Sequence, residues 1–483
     1  MPKAKPVLYV TGLLLCGLAA LMLLPAAADV VVGNPDWQTF VLSAAFTGFV
    51  GVSVTLASRG EGPLQLQLRQ VFLLTTVSWL ALAACAALPF LHLAVQLNYA
   101  DAFFEAISGL TTTGSTVLVG LDAMPPGVLL WRSLLQWLGG VGIIVMAILV
   151  LPFLRVGGMQ LFRSESSDRS AKVVARPAQL VGYIALIYVA LTAACAIAYR
   201  ITGMSLFDAV NHAMTTVSTG GYSTHDASFA AFENPATQWV ATVFMVSGAL
   251  PFVAYIRTAQ RWREPIWRDS QVRALIAFLA AFSVMAAAWY ALSGGVGFAA
   301  ALTLVAFNVT SIVTTTGYAS ADYQTWGALA VGAIFFLTFL GGCTGSTSGA
   351  IKVFRFQVLL IVARAYLLTL LRPNSVLIAR YQDRALPDDI APSVLAFIFV
   401  YLASVVMLTM GLSAFQLDFL TSLSGAATAL GNVGPGLGPI IGPAGNFSSL
   451  PEGAKWLLSA GMLLGRLELF TVLVLFQREF WRW

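Results

Sequence analysis

Ten apolar runs, each about as long as one helical crossing of a bilayer, constrain this chain more than any other feature. They cover 7–24, 40–57, 71–88, 128–151 and 178–199, then 239–256, 274–292, 326–340 with its continuation, 394–412 and 456–476. Bilayer hydrocarbon roughly 30 Å thick needs about 20 mostly apolar residues per crossing. Composition agrees: 58% of the 483 residues are hydrophobic and 10% charged, against about 25% charged in soluble domains. The expected fold is an all-α polytopic membrane protein.

Charge orients the crossings. With the N-terminus inside, 22 of the 26 basic residues fall on cytoplasmic segments. They cluster at 155–176, 257–273 and 352–384, and only Arg200 and Lys455 lie on outer connections. Such a bias sets topology and places both termini in the cytoplasm. It also explains the net charge of +5 without nucleic acid. Lys3 and Lys5 ahead of the first run resemble a signal peptide, followed by Pro25 and alanines. An uncleaved first span is preferred, because the run is long and the crossing count needs it. Cys16, Cys85, Cys195 and Cys343 are scattered as small packing residues, not as a disulfide or metal framework.

After the first hairpin, each outer connection is long, semi-apolar and rich in threonine, serine and glycine. These elements read LTTTGST from Leu110, TVSTGGYST from Thr216, VTTTGYAS from Val313 and ALGNVGPG from Ala429. Each follows an apolar segment too short to cross alone, so the unit is span, re-entrant segment, span, four times over. Counting back nine residues from Gly114, Gly220 and Gly317 reaches Glu105, Asn211 and Asn308, while Gly434 leads to Gly425. Non-helical backbone at membrane depth is tolerated where it lines a watery path. Backbone carbonyls and threonine hydroxyls can replace the hydration shell of K⁺, and glycine allows the required angles. The helix before each loop would aim its negative end at the path. Asp101, Asp122, Asp208, Asp226, Glu233, Asp322, Asp418 and Glu452 on the outer face could concentrate cations, or be ordinary solvated loop charges.

Over nearly its whole length the chain resembles the TrkH-like branch of the Trk/Ktr/HKT superfamily of potassium uptake proteins. The resemblance rests on the four loops together with DAFFEAISGLTTTGSTVL (101–118), VLLWRSLLQWLGGVGIIV (128–145), GGMQLFRSES (157–166), GGCTGSTSGAIKVFR (341–355) and GMLLGRLELFT (461–471). It implies four membrane–pore–membrane repeats around one pore behind an N-terminal hairpin. The expected divisions are 1–60 for the hairpin, then 61–165, 166–262, 263–372 and 373–483 for the repeats. The family's filter positions carry over onto Gly114, Gly220, Gly317 and Gly434, preceded by Thr112–Thr113, Ser218–Thr219, Thr315–Thr316 and Asn432–Val433. Glycine at the first site points to potassium over sodium, and NVGPG departs from the Thr-Gly pattern.

Two gate candidates follow. The stretch 341–349, with Gly341, Gly342, Thr344, Gly345, Ser346 and Gly349, interrupts the eighth span. In the family this is an intramembrane loop below the filter; by itself it could be a hinge with close packing. Arg466 lies mid-span, where facing lipid would cost about 2.5–3.5 kcal/mol. The resemblance puts it beside the pore; the alternative is an ion pair with Glu468 or another acid, Glu468 being poorly placed at i,i+2. Arg132 reads as a structural anchor.

The expected activity is potassium uptake through a gated, channel-like pore, with an H⁺- or Na⁺-coupled symporter as the alternative. The spans hold almost no acidic chain of the kind coupling uses. No Ser/His/Asp set, metal motif or Walker-type loop occurs, and His92, His212 and His225 lie apart, so no enzyme activity and no cofactor beyond the transported K⁺ are expected. The family implies a homodimer in the bacterial inner membrane, controlled by a cytosolic ring of nucleotide-binding regulatory domains. The basic stretches 155–176, 257–273 and 352–384 could dock that ring, set topology or meet anionic lipid. A fluorescent protein fused to the C-terminus is expected to fluoresce, and alkaline phosphatase fused there to stay inactive; the reverse pattern overturns the topology.

Overall fold

The computed structural model describes residues 4–60, 66–92, 96–149, 177–260, 265–374, 378–382 and 384–482. The basic stretch 155–176 and the motif 157–166 lie outside the described residues, as do Lys3, Arg261 and Arg263. Among the described residues, eight helices are long and apolar enough to cross a bilayer, and two bent pairs raise the number to ten.

The N-terminal hairpin pairs Lys5–Leu21 and its extension Leu23–Val32 with Trp37–Ser58. The helix runs on past Pro25, beyond residue 24 where the apolar run ends. Gly12 faces the Gly51 carbonyl, the small-residue contact that brings membrane helices together. Asp29, fully buried, docks the hairpin on the rest by accepting the Gly127 N–H at 2.8 Å, where the helix Pro126–Leu149 begins.

Behind the hairpin lie four short helices, Tyr99–Leu110, Leu206–Val217, Phe298–Val313 and Phe419–Gly431. Polar caps start three of them: Asn98 accepts from Asp101 N at 2.8 Å, Ser205 from Asp208 N at 3.0 Å and Asp418 from Thr421 N at 3.0 Å. Their C-terminal halves are buried on every side, so they form the centre of the protein.

The helix following each short one crosses differently in each unit. Pro126–Leu149 is continuous. The expected span 239–256 is instead two helices, Pro235–Ala249 and Phe252–Gln260, bent by 91°. Pro251 at the break lacks a backbone donor and bars its predecessor from helical geometry. The expected span 326–340 is the short helix Ala328–Leu337, and its continuation is Val353–Leu371 beyond the loop. The expected span 456–476 is Glu452–Arg466 followed by a turn and Phe470–Leu473, with a bend of 105°. No proline or glycine marks that last break; Glu468 (φ 58°) and Leu469 (φ 29°) make it.

Close approach of these helices to the short ones requires glycine. A Cβ on Gly139 would strike the Leu110 carbonyl oxygen, one on Gly248 that of Val217, and one on Gly465 that of Leu430. Each obstacle is backbone and cannot turn aside. Gly139→Val is therefore expected to destabilise the protein by about 1–3 kcal/mol, seen as a lower unfolding temperature in detergent; an unchanged temperature would mean the two helices separate freely.

Candidate functional site

The four short helices end in one shared backbone motif. Thr112, Thr219, Thr315 and Asn432 are left-handed, with φ of 51°, 52°, 57° and 53°. The next N–H, of Thr113, Gly220, Thr316 and Val433, reaches back five residues to the carbonyls of Ser108, Thr215, Ser311 and Thr428 at 2.9, 2.8, 2.8 and 3.0 Å. This satisfies helix-end carbonyls in the manner of a Schellman closure. The residue after that is again left-handed: Gly114, Gly221, Gly317 and Gly434, at 85°, 82°, 82° and 109°. A left-handed threonine is a true outlier, and such strain collects at functional sites.

This motif corrects the register of the second loop by one residue. Gly221, not Gly220, has the backbone of Gly114; Gly220 stands in the place of Thr113, Thr219 in that of Thr112, and Ser218 in that of Thr111. The shift is hidden in the sequence because two glycines are adjacent and Thr219–Gly220 is the pair that matches the Thr-Gly pattern.

The four motifs close on one another. A Cβ on Gly114 would strike the Gly220 carbonyl oxygen, on Gly221 that of Thr316, on Gly317 that of Val433, and on Gly434 that of Thr113. Each loop thus meets the next in chain order, and the fourth meets the first. One cavity is lined by Gly114, Gly221, Gly317 and Gly434 together. Such a ring sets backbone oxygens where they can replace the water of a bare monovalent cation.

The ring is braced from behind. Nine residues before their glycines, Glu105, His212 and Asn308 each bond the rising limb of their own loop. Glu105 accepts from Thr116 Oγ1 at 3.0 Å and Val117 N at 2.9 Å; His212 Nε2 lies 2.9 Å from Ser223 Oγ; Asn308 Nδ2 donates to Ser320 Oγ at 2.9 Å. The corrected register puts His212, not Asn211, in this role. In the fourth loop Gly425 has no side chain, and Ser424 substitutes by accepting from Leu437 N at 2.8 Å. Arg132, the expected anchor, is buried: its Nε meets Glu105 Oε1 at 2.8 Å, it donates to Ser223 O at 2.8 Å, and it stacks over Tyr222 at 4.1 Å.

Further bonds tie neighbouring loops. Gln136 donates to Gly220 O at 2.6 Å and accepts from Tyr222 N at 3.0 Å. Tyr222 donates to Glu105 O at 2.9 Å, and the Tyr318 hydroxyl bonds Thr215 and Thr216. Asn432 donates to Thr113 Oγ1 at 3.0 Å, and Ser115 to Gly434 O at 2.8 Å. Sequence reasoning passed over Gln136, Tyr222 and Tyr318. The tyrosines did leave a signal, since each directly follows its loop's glycine.

Directly below, the loop 341–349 is stitched to three of the four ring segments. Ser348 Oγ donates to Thr314 O at 2.8 Å, Gly349 N to Thr315 Oγ1 at 2.7 Å, Thr219 Oγ1 to Thr347 Oγ1 at 3.1 Å, and Ala350 N to Gly431 O at 2.9 Å. Further backbone bonds anchor it: Gly341 N with Ile351 O at 2.9 Å, Val353 N with Gly342 O at 3.2 Å, Thr344 N with Gln271 Oε1 at 3.0 Å, and Phe252 N with Gly345 O at 3.0 Å. Ser346 Oγ bonds Cys343 O. Arg466 Nη1 donates to Thr347 O at 2.8 Å and Nη2 to Gly139 O at 3.4 Å, so the two gate candidates touch. Glu468 pairs with Arg355, not with Arg466.

Outside the ring, several acidic residues have structural work. Asp226 accepts from Gly120 N and Leu121 N at 3.1 and 3.0 Å, while Asp122 accepts from Asp226 N at 3.2 Å and lies 2.5 Å from His225 Nδ1. These bonds lace the first two loops, and the hydrogen bond from His225 holds the Asp122 carboxyl below its ordinary value. Asp101 pairs with Lys455 at 2.6 Å, and Asp418 and Asp322 cap helices.

Comparison with known proteins gives one answer. The family model TrkH, described as a cation transport protein, matches residues 38–482. The chain is 48% identical over 478 residues to the Trk system potassium uptake protein TrkI of Halomonas elongata, covering 99% of this chain and 97% of the relative. It is 36% identical over 490 residues to the Trk system potassium uptake protein TrkH of Escherichia coli, covering 99% of each. The crystal structure of the potassium transporter TrkH from Vibrio parahaemolyticus superposes with a TM-score of 0.90 at 32% identity over 100% of both chains.

Breaking one side of a buried ion pair strands the other charge, at about 3–5 kcal/mol. Glu105→Ala is expected to lower the unfolding temperature sharply, and Glu105→Gln less so because it still accepts from Arg132; equal effects would mean that charge does not matter there.

Proposed function

The chain belongs to the TrkH family of cation transport proteins, and from that membership we propose that it takes up potassium through a gated, channel-like pore. It is a multi-pass membrane transport protein and not an enzyme. The proposed membrane is the cytoplasmic membrane of a bacterium, with both termini inside.

The observation that carries the reading is the closed ring, in which each loop's glycine abuts a carbonyl of the next loop. On this reading the filter comprises Thr112, Thr113 and Gly114; Thr219, Gly220 and Gly221, with Ser218 preceding; Thr315, Thr316 and Gly317; and Asn432, Val433 and Gly434. The repeats 61–165, 166–262, 263–372 and 373–483 each contribute one loop, and 1–60 is an added hairpin. The short helices direct the negative ends of their dipoles at the ring, favouring a cation below it. An inside-negative potential drives entry by about 2.3 kcal/mol per charge per 100 mV, so no coupled ion is needed. The gate is the loop with Gly341, Gly342, Thr344, Gly345, Ser346 and Gly349, held under the ring, together with Arg466. Supporting this, Arg466 bonds a loop carbonyl and no acid among the described residues, which leaves its charge uncompensated. A cytosolic ring of nucleotide-binding regulatory domains would act on this gate in a homodimer.

The test is flux of K⁺, Rb⁺ and Na⁺ into proteoliposomes holding the purified chain. Potential-driven K⁺ and Rb⁺ entry above Na⁺, without a proton or sodium gradient, is expected; strict dependence on either gradient would replace the pore by a symporter. A fixed charge a few ångströms from the path is worth a few kcal/mol, so Arg466→Ala should raise entry about tenfold or more. Gly221→Ser should narrow the K⁺/Na⁺ preference more than Gly220→Ala, and the opposite order would refute the corrected register.

A further inference from the structure

Four charged side chains are packed just inside the loop 341–349. Lys352, Arg355, Arg466 and Glu468 are all buried, exposing 7%, 0%, 2% and 7% of their surface. Lys352 Nζ donates to Ser348 O and Arg466 to Thr347 O, so both cations grip loop carbonyls. Arg355 Nη2 donates to Glu468 Oε2 at 2.5 Å, and its guanidinium lies 3.6 Å over the Phe397 ring.

The position of this pair is what distinguishes it. Arg355 is in the first turn of Val353–Leu371, the helix that continues the loop. Glu468 is in the break after Glu452–Arg466, two residues beyond Arg466. Glu468 and Leu469 have φ of 58° and 29°, a strained turn that no glycine relieves. A buried, charge-assisted bond to Arg355 opposes that strain. It also joins the two helices from which the gate elements extend.

We propose that the Arg355–Glu468 pair is a latch that positions both gate elements in the closed arrangement. The proposal rests on the gated-pore reading above. Arg355 and Glu468 are positioning residues: they act through the loop and Arg466 rather than on the ion. Movement of Val353–Leu371 relative to the break at 467–469 would shift the loop and Arg466 together, because the latch spans both.

A rival role is electrostatic. Glu468 is the acid among the residues lining the small cavity under the loop, with Lys352 and Arg466 opposite. If it merely offsets their charge, removing it makes the path more repulsive to cations and lowers uptake. A latch predicts the reverse sign.

The experiment is Rb⁺ uptake into proteoliposomes of the full chain carrying Arg466→Ala, Glu468→Gln, Arg355→Lys, or the exchange Arg355→Glu with Glu468→Arg. Glu468→Gln is expected to raise basal uptake on the order of tenfold, as loss of one closed-state bond would. Arg355→Lys, the milder change should Glu468→Gln not fold, should raise it less. The exchange should return uptake toward the unaltered level, and the K⁺/Na⁺ ratio should stay constant throughout. Lowered or unchanged uptake in Glu468→Gln, a leaky exchange variant, or an altered ion ratio would each overturn the latch. If Arg466→Ala itself leaves uptake unchanged, the gate reading fails instead, which separates the two.

Discussion

A backbone N–H or C=O left unbonded at membrane depth costs several kcal/mol, and this protein holds four stretches of non-helical backbone in its centre. No single loop can meet that demand alone. Each turns back on its own helix through the five-residue closure, then leans on its neighbour: Gln136 on Gly220, Tyr222 on the first loop, Tyr318 on the second, Asn432 on Thr113. Closing the ring removes the exposed edge, as a barrel does for a sheet. Satisfying the backbone and closing the ring are therefore one requirement.

The buried charges follow a consistent division. Arg132 and Arg355 are matched with Glu105 and Glu468, at 2.8 and 2.5 Å, and so can hold structure without a net field. Arg466 and Lys352 are given carbonyls of the loop below the ring instead. A carbonyl satisfies a donor but does not cancel its charge. An arginine matched with an acid and an arginine held by carbonyls thus look alike in sequence and differ in partner.

Much was legible without coordinates. Run length established the membrane, and repetition of a short apolar segment before a Thr/Gly element located the four loops. Glycine at mid-span marked the break at 341–349, because such a residue has no reason to interrupt a plain helix. Other features were hidden. Pro251 was visible, yet nothing local indicated a bend of 91° rather than a kink. The break at 467–469 carries no turn residue, and the partner of its Glu468, Arg355, is more than a hundred positions away. The second loop's register was ambiguous between Gly220 and Gly221, and only backbone angle separated them.

By itself, then, the sequence determined that the chain spans a membrane, where its four loops fall, and which residue types they offer. Those properties are local: they depend on run length, composition and spacing along one strand of chain. The tertiary structure alone decided which glycine faces which carbonyl, that His212 takes the place of Glu105 behind the second loop, and that Glu468 answers Arg355 and leaves Arg466 on the loop. These are choices among chemically equivalent partners. They are settled by packing in three dimensions, where burial makes every unmatched polar group costly and proximity determines which match is available.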